Sequence, residues 1–415
     1  MNHNSSQRIL LVGATGYAGR QLANYLLSDT DATVILAGRN RAKLDELRLR
    51  LHTHDLADRV ELLELDAAEL DVAALPEFDL LVNSMANGPH NASLIQACIE
   101  RRADWIDMQM TNELLNPTSE LQAKIERAGC CFVIQAGFHP GIVAALVRYA
   151  AQQMDVMDSA VVGSVIRDKT GLPFTSGVAE LVESLRDYKS EMYKDGSWQK
   201  LKYADYPKLE FEYDFGKLLT YPVDMPELRR LPELLQDLKN TGFFVAGFNW
   251  FADYLVTPLI MLGSGIAPRQ TASSLGHLLS WSTKKFAKPP YGTVVQVDAE
   301  GQRDGQPVRF RLSLYHEDAY VLTAVPTVAM IRQMLLKEFQ PGIQLMGLCC
   351  DPVKLLADIE GTAGTTRASC SMPQLQDHSR HALRASPDLE PVAAQDRLEH
   401  DPAYPRVVSE FARIL

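Results

Sequence analysis

Gly13, Gly16 and Gly19 stand three residues apart in VGATGYAG, directly after the apolar run Ile9-Leu10-Leu11. A glycine-rich turn between a buried strand and a helix sets backbone N–H groups and the positive end of the helix dipole against a phosphate. In that arrangement Gly13 allows the tight turn, Gly16 lets the backbone approach a pyrophosphate, and Gly19 permits close packing of helix on strand. Thr15 and Tyr17 belong to the same turn. The spacing predicts a dinucleotide site.

The end of the second apolar run selects the dinucleotide. An NAD site usually carries Asp or Glu there, on the adenosine ribose hydroxyls. VILAGRNRAK instead offers Gly38, Arg39 and Asn40, with Arg41 and Lys43 behind. A guanidinium suits the planar, charged 2′-phosphate, so the expected cofactor is NADP(H). Asp66, ending the third run, is placed to approach the adenine amino group. Asn83, Ser84 and Met85, ending the fourth, should lie along the cofactor toward the nicotinamide. Asp and Asn also favour strand-to-helix turns, so plain capping accounts for them equally.

Three further stretches carry groups able to work on a substrate. Asp107 ends the fifth run in WIDM and is a candidate to orient substrate or relay a proton, though a cap on the following turn reads the same way. His139, in AGFHPG after the sixth run, is a candidate general acid. Thr175, Ser176 and Gly177 precede a helical pattern whose N-terminus suits a substrate carboxylate, though an ordinary helix cap reads the same way. The six cysteines form no CxxC pattern, and no metal site is expected.

These residues need a frame, and the first 155 residues supply one. Six short apolar runs (8–13, 32–38, 60–66, 78–84, 103–108 and 130–137) alternate with helical patterns over 17–28, 41–52, 90–101 and 118–128. Strands apolar throughout and separated by single helices imply a parallel sheet covered on both faces. The fold class is α/β, a Rossmann-type doubly wound parallel sheet.

From about residue 156 the pattern changes to a second, α+β domain with an antiparallel sheet, expected over 156–318. Its best hairpin joins 293–300 to 308–317 through GQRDGQ. Part of 319–361 is expected to complete the first domain, with 362–415 a loosely ordered tail. The aromatic stretch over 243–262 reads as core more readily than as a pocket.

A net charge of −11, from 41 basic and 52 acidic residues, argues against a general nucleic-acid binder. The N-terminus MNHNSSQR lacks the apolar stretch of a signal peptide, and 255–267 is too short and interrupted to span a bilayer. The expectation is a cytoplasmic protein, with peripheral membrane contact a weaker alternative.

VGATGYAG, LAGRNRAKL, DLLVNSMANGP, ACIERRADWIDM and AGFHPG together resemble the saccharopine dehydrogenase-like family, including its trans-acting enoyl reductase relatives. The resemblance covers the N-terminal domain and weakly resumes at YVLTAVPTVAMIRQML and GIQLMGLCCDPVKLLADIE. It implies a Rossmann-type NADP domain, an inserted substrate domain, frequent dimers, and reduction of an imine or activated double bond of a small metabolite. The alternative is a catalytically silent NADP-binding regulator. A short-chain dehydrogenase reading would rest on Tyr213…Lys217 as a YxxxK pair. That pair lies about a hundred residues too late and among strand-like neighbours.

Overall fold

The computed structural model describes residues 7–51, 57–169, 189–249, 251–257, 259, 268–336, 339–363 and 367–371. Thr175, Ser176 and Gly177 lie outside the described residues, as do residues 260–267 and the tail beyond 371.

Six strands follow the apolar runs: β1 (Arg8–Val12), β2 (Thr33–Gly38), β3 (Val60–Glu64), β4 (Leu80–Asn83), β5 (Asp104–Asp107) and β6 (Cys131–Ile134). They form a parallel sheet of seven strands ordered β15-β6-β5-β4-β1-β2-β3, whose outermost member, β15, is Gly342–Leu345. The order reverses between β1 and β4, the crevice where open α/β sheets bind ligands. Along β1 the side chains alternate between two cores. Ile9 and Leu11 join one cluster and Leu10 and Val12 the other, which is why the run is apolar without a break.

Helices α1 (Tyr17–Asp29), α2 (Arg41–Arg50), α3 (His90–Arg101), α4 (Ser119–Ala128) and α5 (Ile142–Ala151) connect these strands or follow them. Local chemistry sets their ends. The Asn40 and Thr118 side chains cap α2 and α4, and Gly129 ends α4 in a left-handed conformation at φ +77°.

The second sheet contains β7 (Val156–Arg167), β8 (Glu191–Lys194), β9 (Ser197–Lys200), β10 (Lys208–Phe211), β11 (Gly216–Val223), β12 (Asn240–Ala246), β13 (Gly292–Arg303), β14 (Gln306–His316) and β16 (Arg367–Ser371). It is mixed, because β12 runs parallel to β7 at its centre while its other pairings are antiparallel. The hairpin arms are longer than the sequence pattern implied. They meet at a tight turn, Asp304-Gly305, with φ of +51° and +71°. Residues 367–371, expected in a loose tail, instead pair with β14 along the sheet edge.

Helix α5, buried along nearly its whole length, packs on β7, β13 and β14 of the second sheet. Helix α6 (Pro226–Arg229) abuts it, and α7 (Pro268–Phe286) follows β12. Helix α8 (Ala319–Leu336) packs on α1 and on α9 (Pro352–Ala363). Among the described residues α8 alone is long and apolar enough to cross a membrane, and 67% of it is buried inside the protein. Tyr213 sits in a turn with φ +59° and Lys217 on β11, so no helix joins them as a YxxxK pair would require.

Candidate active site

The turn after β1 is strapped to its neighbour, with the N–H groups of Gly13 and Ala14 both donating to Ala37 O at 3.1 Å. Two of its glycines are dictated by contact. A Cβ on Gly13 would come within 2.7 Å of Ser84 Oγ and 2.8 Å of Met85 Cγ, and its φ is +82°. A Cβ on Gly19 would sit 2.2 Å from Gly13 O and 2.9 Å from Ala14 Cα, inside the backbone of the turn itself. Gly16 is exposed, has ordinary backbone angles, and caps α1 without a side-chain acceptor. No acid lies in the first turn of α1. The helix start therefore keeps unneutralised donors facing outward, as a pyrophosphate requires.

Arg39 is exposed and makes no hydrogen bond or ion pair with a described residue. Asn40 is engaged as the α2 cap, its Oδ1 accepting from Lys43 N at 3.0 Å. Asp66 caps the next turn, accepting from Ala68 N at 3.0 Å, and its neighbour Leu65 is tied to Gly38 O. Arg39 and Asp66 thus share one rim, at adjacent strand ends. Thr15 comes to this rim as well, its hydroxyl 3.6 Å from a Cβ built on Gly38. Tyr17 stacks on Tyr320 of α8 at 5.3 Å, closing the side of the turn.

Across the crevice, Ser84 Oγ donates to Val12 O at 2.7 Å, and Met85 N donates to Asn83 Oδ1 at 3.1 Å. Behind them lies a set of buried amides, of which the sequence singled out Asn83 alone. Asn83 Nδ2 donates to Asn91 Oδ1 at 3.1 Å, and Asn91 Nδ2 to Gln109 Oε1 at 2.8 Å. Gln109 Nε2 in turn holds Met85 O at 3.0 Å. The only sequence signal was polar residues at the start of α3 and the end of β5. Their meeting depends on how helix and strand cross.

Asp107 is fully buried and accepts four hydrogen bonds: from Trp105 Nε1 (2.7 Å), Asn112 Nδ2 (2.9 Å), Gln109 N (3.0 Å) and Gln135 N (3.4 Å). Burial pushes its pKa up to about 6 against the pull of those donors. With its oxygens so engaged, the carboxylate orients the β5 and β6 ends rather than facing open space.

His139 lies in the tight turn between β6 and α5. Its ring is 4.1 Å from that of Phe138 and 5.4 Å from that of Phe243 on the second sheet. Nε2 is buried without a partner, and burial lowers the imidazole to about 4. Gly141 is required here, since a Cβ would meet Gln135 O at 2.4 Å at a φ of +126°.

Glu227, on α6, caps α5 from outside, accepting from Gly141 N at 2.9 Å. Nothing in its local sequence, MPELRR, marks it as buried. Burial raises this carboxyl from 4.5 to about 8, so the folded state prefers it protonated. Its contribution to stability is full below about 4.5 and is lost as pH rises through about 8. Asp107 has the same sign and His139 the opposite one. Glu227→Gln removes only the Glu227 share. The variant is expected to melt a few degrees higher than the parent at pH 9 and level with it at pH 5, read by thermal denaturation. Equal melting at both pH values would mean that Glu227 ionises freely.

Residues 9–133 match the family described as the saccharopine dehydrogenase NADP binding domain. Carboxynorspermidine synthase of Vibrio cholerae serotype O1 is 24% identical over 252 residues, covering 55% of this chain and 60% of that protein. The protein of the same name from Vibrio alginolyticus gives the same identity and coverage. The match thus spans 60% of the length of these curated relatives. Among solved structures, the apo form of saccharopine dehydrogenase (L-Glu forming) from Saccharomyces cerevisiae aligns with a TM-score of 0.64. It does so at 13% identity, over 88% of this chain and 100% of that one. That likeness is one of fold.

Proposed function

We propose that the chain, whose residues 9–133 match the saccharopine dehydrogenase NADP binding domain, transfers hydride between NADP(H) and an imine or activated C=C bond of a small metabolite. The observation that carries this reading is the cradle itself. Gly13 and Gly19 leave no room for a side chain, Gly16 leaves the α1 donors uncapped, and unpaired Arg39 stands where an NAD site would hold an acid. When bound there, the nicotinamide supplies the hydride chemistry, and the protein supplies orientation and a dry pocket.

The chain's own residues then have distinct tasks. The α1 start and Arg39 would hold the phosphates of a bound NADP(H). Ser84 and Met85, pinned by Val12, Asn83 and Gln109, would line the crevice beside it. Asp107 is a positioning residue. His139 is neutral at pH 7, so it serves as a hydrogen-bonding group at Nε2 rather than as a charged acid.

Incubating the protein and NADPH with a panel of imines and enones tests the reading. NADPH oxidation with matching reduced product is expected for at least one acceptor class. Tight NADPH binding with no acceptor reduced would favour the silent regulator, a reading that the full engagement of Asp107 and the neutrality of His139 keep in play.

A further inference from the structure

The sheet order sets which way a bound dinucleotide would run. With a pyrophosphate at the turn after β1, Arg39 and Asp66 would take the adenosine half toward β2 and β3. The nicotinamide half is left to the other side of the turn, over the ends of β4 and β5.

At those ends the buried amides close into a ring of four hydrogen bonds. Met85 N donates to Asn83 Oδ1 (3.1 Å), Asn83 Nδ2 to Asn91 Oδ1 (3.1 Å), Asn91 Nδ2 to Gln109 Oε1 (2.8 Å) and Gln109 Nε2 back to Met85 O (3.0 Å). Asn83 and Asn91 are fully buried and Gln109 nearly so. Each amide accepts from one neighbour and donates to the next, so turning one over would set oxygen against oxygen. The ring is braced from outside. Asn91 Nδ2 also donates to Asn87 Oδ1 at 3.0 Å, and Asn112 Nδ2 ties Gln109 Oε1 (3.0 Å) to Asp107 Oδ2 (2.9 Å).

A space that needed only filling would take apolar side chains, because buried amides cost free energy unless every one is paired. What the ring fixes is one residue. Both polar backbone atoms of Met85 are drawn to it, and the half-buried Met85 side chain lies against the cofactor turn. Its Cγ is 2.8 Å from the place of a Cβ on Gly13.

We propose that Asn91 and Gln109 are positioning residues for the nicotinamide ring. They hold the Met85 peptide so that its thioether chain backs one face of the ring and leaves the other face to an acceptor. Neither amide touches the cofactor. The inference rests on reading the turn after β1 as an NADP(H) site, and not on which acceptor is reduced.

The test compares NADPH with 2′-phospho-ADP-ribose, which keeps the nucleotide and its phosphates and lacks the nicotinamide. Both are titrated by calorimetry into the full chain, and the parent is expected to bind NADPH the more tightly. Asn91→Leu and Gln109→Leu should weaken NADPH about tenfold and 2′-phospho-ADP-ribose less than about twofold. These variants open a buried ring and cost stability, so Met85→Ala, which leaves the ring intact, carries the same comparison. It should weaken NADPH about fivefold, with Met85→Leu recovering part of the loss and both melting close to the parent. The fluorescence lifetime of bound NADPH reports the surroundings of the nicotinamide and should change in Asn91→Leu, Gln109→Leu and Met85→Ala. Equal binding of the two probes by the parent, equal losses of both in the variants, or an unchanged lifetime would each overturn the assignment. Turnover separates it from the oxidoreductase reading. Nicotinamide-selective losses with no acceptor reduced leave the positioning standing and remove hydride transfer. An acceptor reduced by a parent whose variants lose both probes equally does the reverse.

Discussion

Gly16→Asp is expected to weaken NADPH binding by at least about 100-fold while leaving the melting temperature unchanged or slightly raised. The two effects separate because Gly16 has ordinary backbone angles and a lone close neighbour, Gly13 O, at 3.2 Å from an added Cβ. Aspartate is a preferred N-cap, and its charge complements the helix dipole, so the free protein gains a few tenths of a kcal/mol or more. The same carboxylate occupies the anion position and opposes a pyrophosphate held there. Gly19→Ala behaves differently, because its Cβ would collide with turn backbone. It should lower both affinity and melting temperature. Titration of NADPH by fluorescence, beside thermal denaturation, reads both quantities. If Gly16→Asp binds NADPH like the parent, the turn after β1 does not hold phosphate.

Arg39→Asp is the second large effect. Arg39 is exposed and makes no hydrogen bond or ion pair with a described residue. A charge-assisted pair with the 2′-phosphate contributes about 1.5–3 kcal/mol, and a carboxylate in its place adds repulsion. NADPH affinity should fall about 100-fold. NADH affinity should stay within about threefold or improve, since the new acid can meet the ribose hydroxyls. Equal losses for the two nucleotides would show that Arg39 does not read the 2′-phosphate.

Much of the first sheet was legible because its strands are buried on both faces, which leaves continuous apolar runs that no surface element imitates. Helix ends were legible where a cap set them, as at Asn40 and Thr118. The second sheet was harder. Its strands β8, β9 and β10 are short and half-exposed, and the β7–β12 parallel pair joins residues some eighty apart in the chain. Residues 367–371 read as tail because RASCS is polar and its strand pairing with β14 is made by the backbone.

The glycine turn was legible by the same logic, because Gly13 and Gly19 answer to contacts within the turn and its nearest neighbours. Asn91, Gln109 and Glu227 were invisible because each matters through a partner on another element. His139 was read as a candidate general acid, and Asp107 as a group orienting substrate, relaying a proton or capping the following turn. Burial makes the first neutral, and four donors engage the second.

The central claim is hydride transfer from NADPH, and isotope transfer tests it most directly. NADPH carrying deuterium at the nicotinamide C4 position is incubated with the protein and with the imine and enone acceptors, and the products are weighed by mass spectrometry. The account predicts a reduced product one deuterium heavier for at least one acceptor, with NADPH preferred over NADH. Binding of NADPH with no deuterium in any product would contradict it.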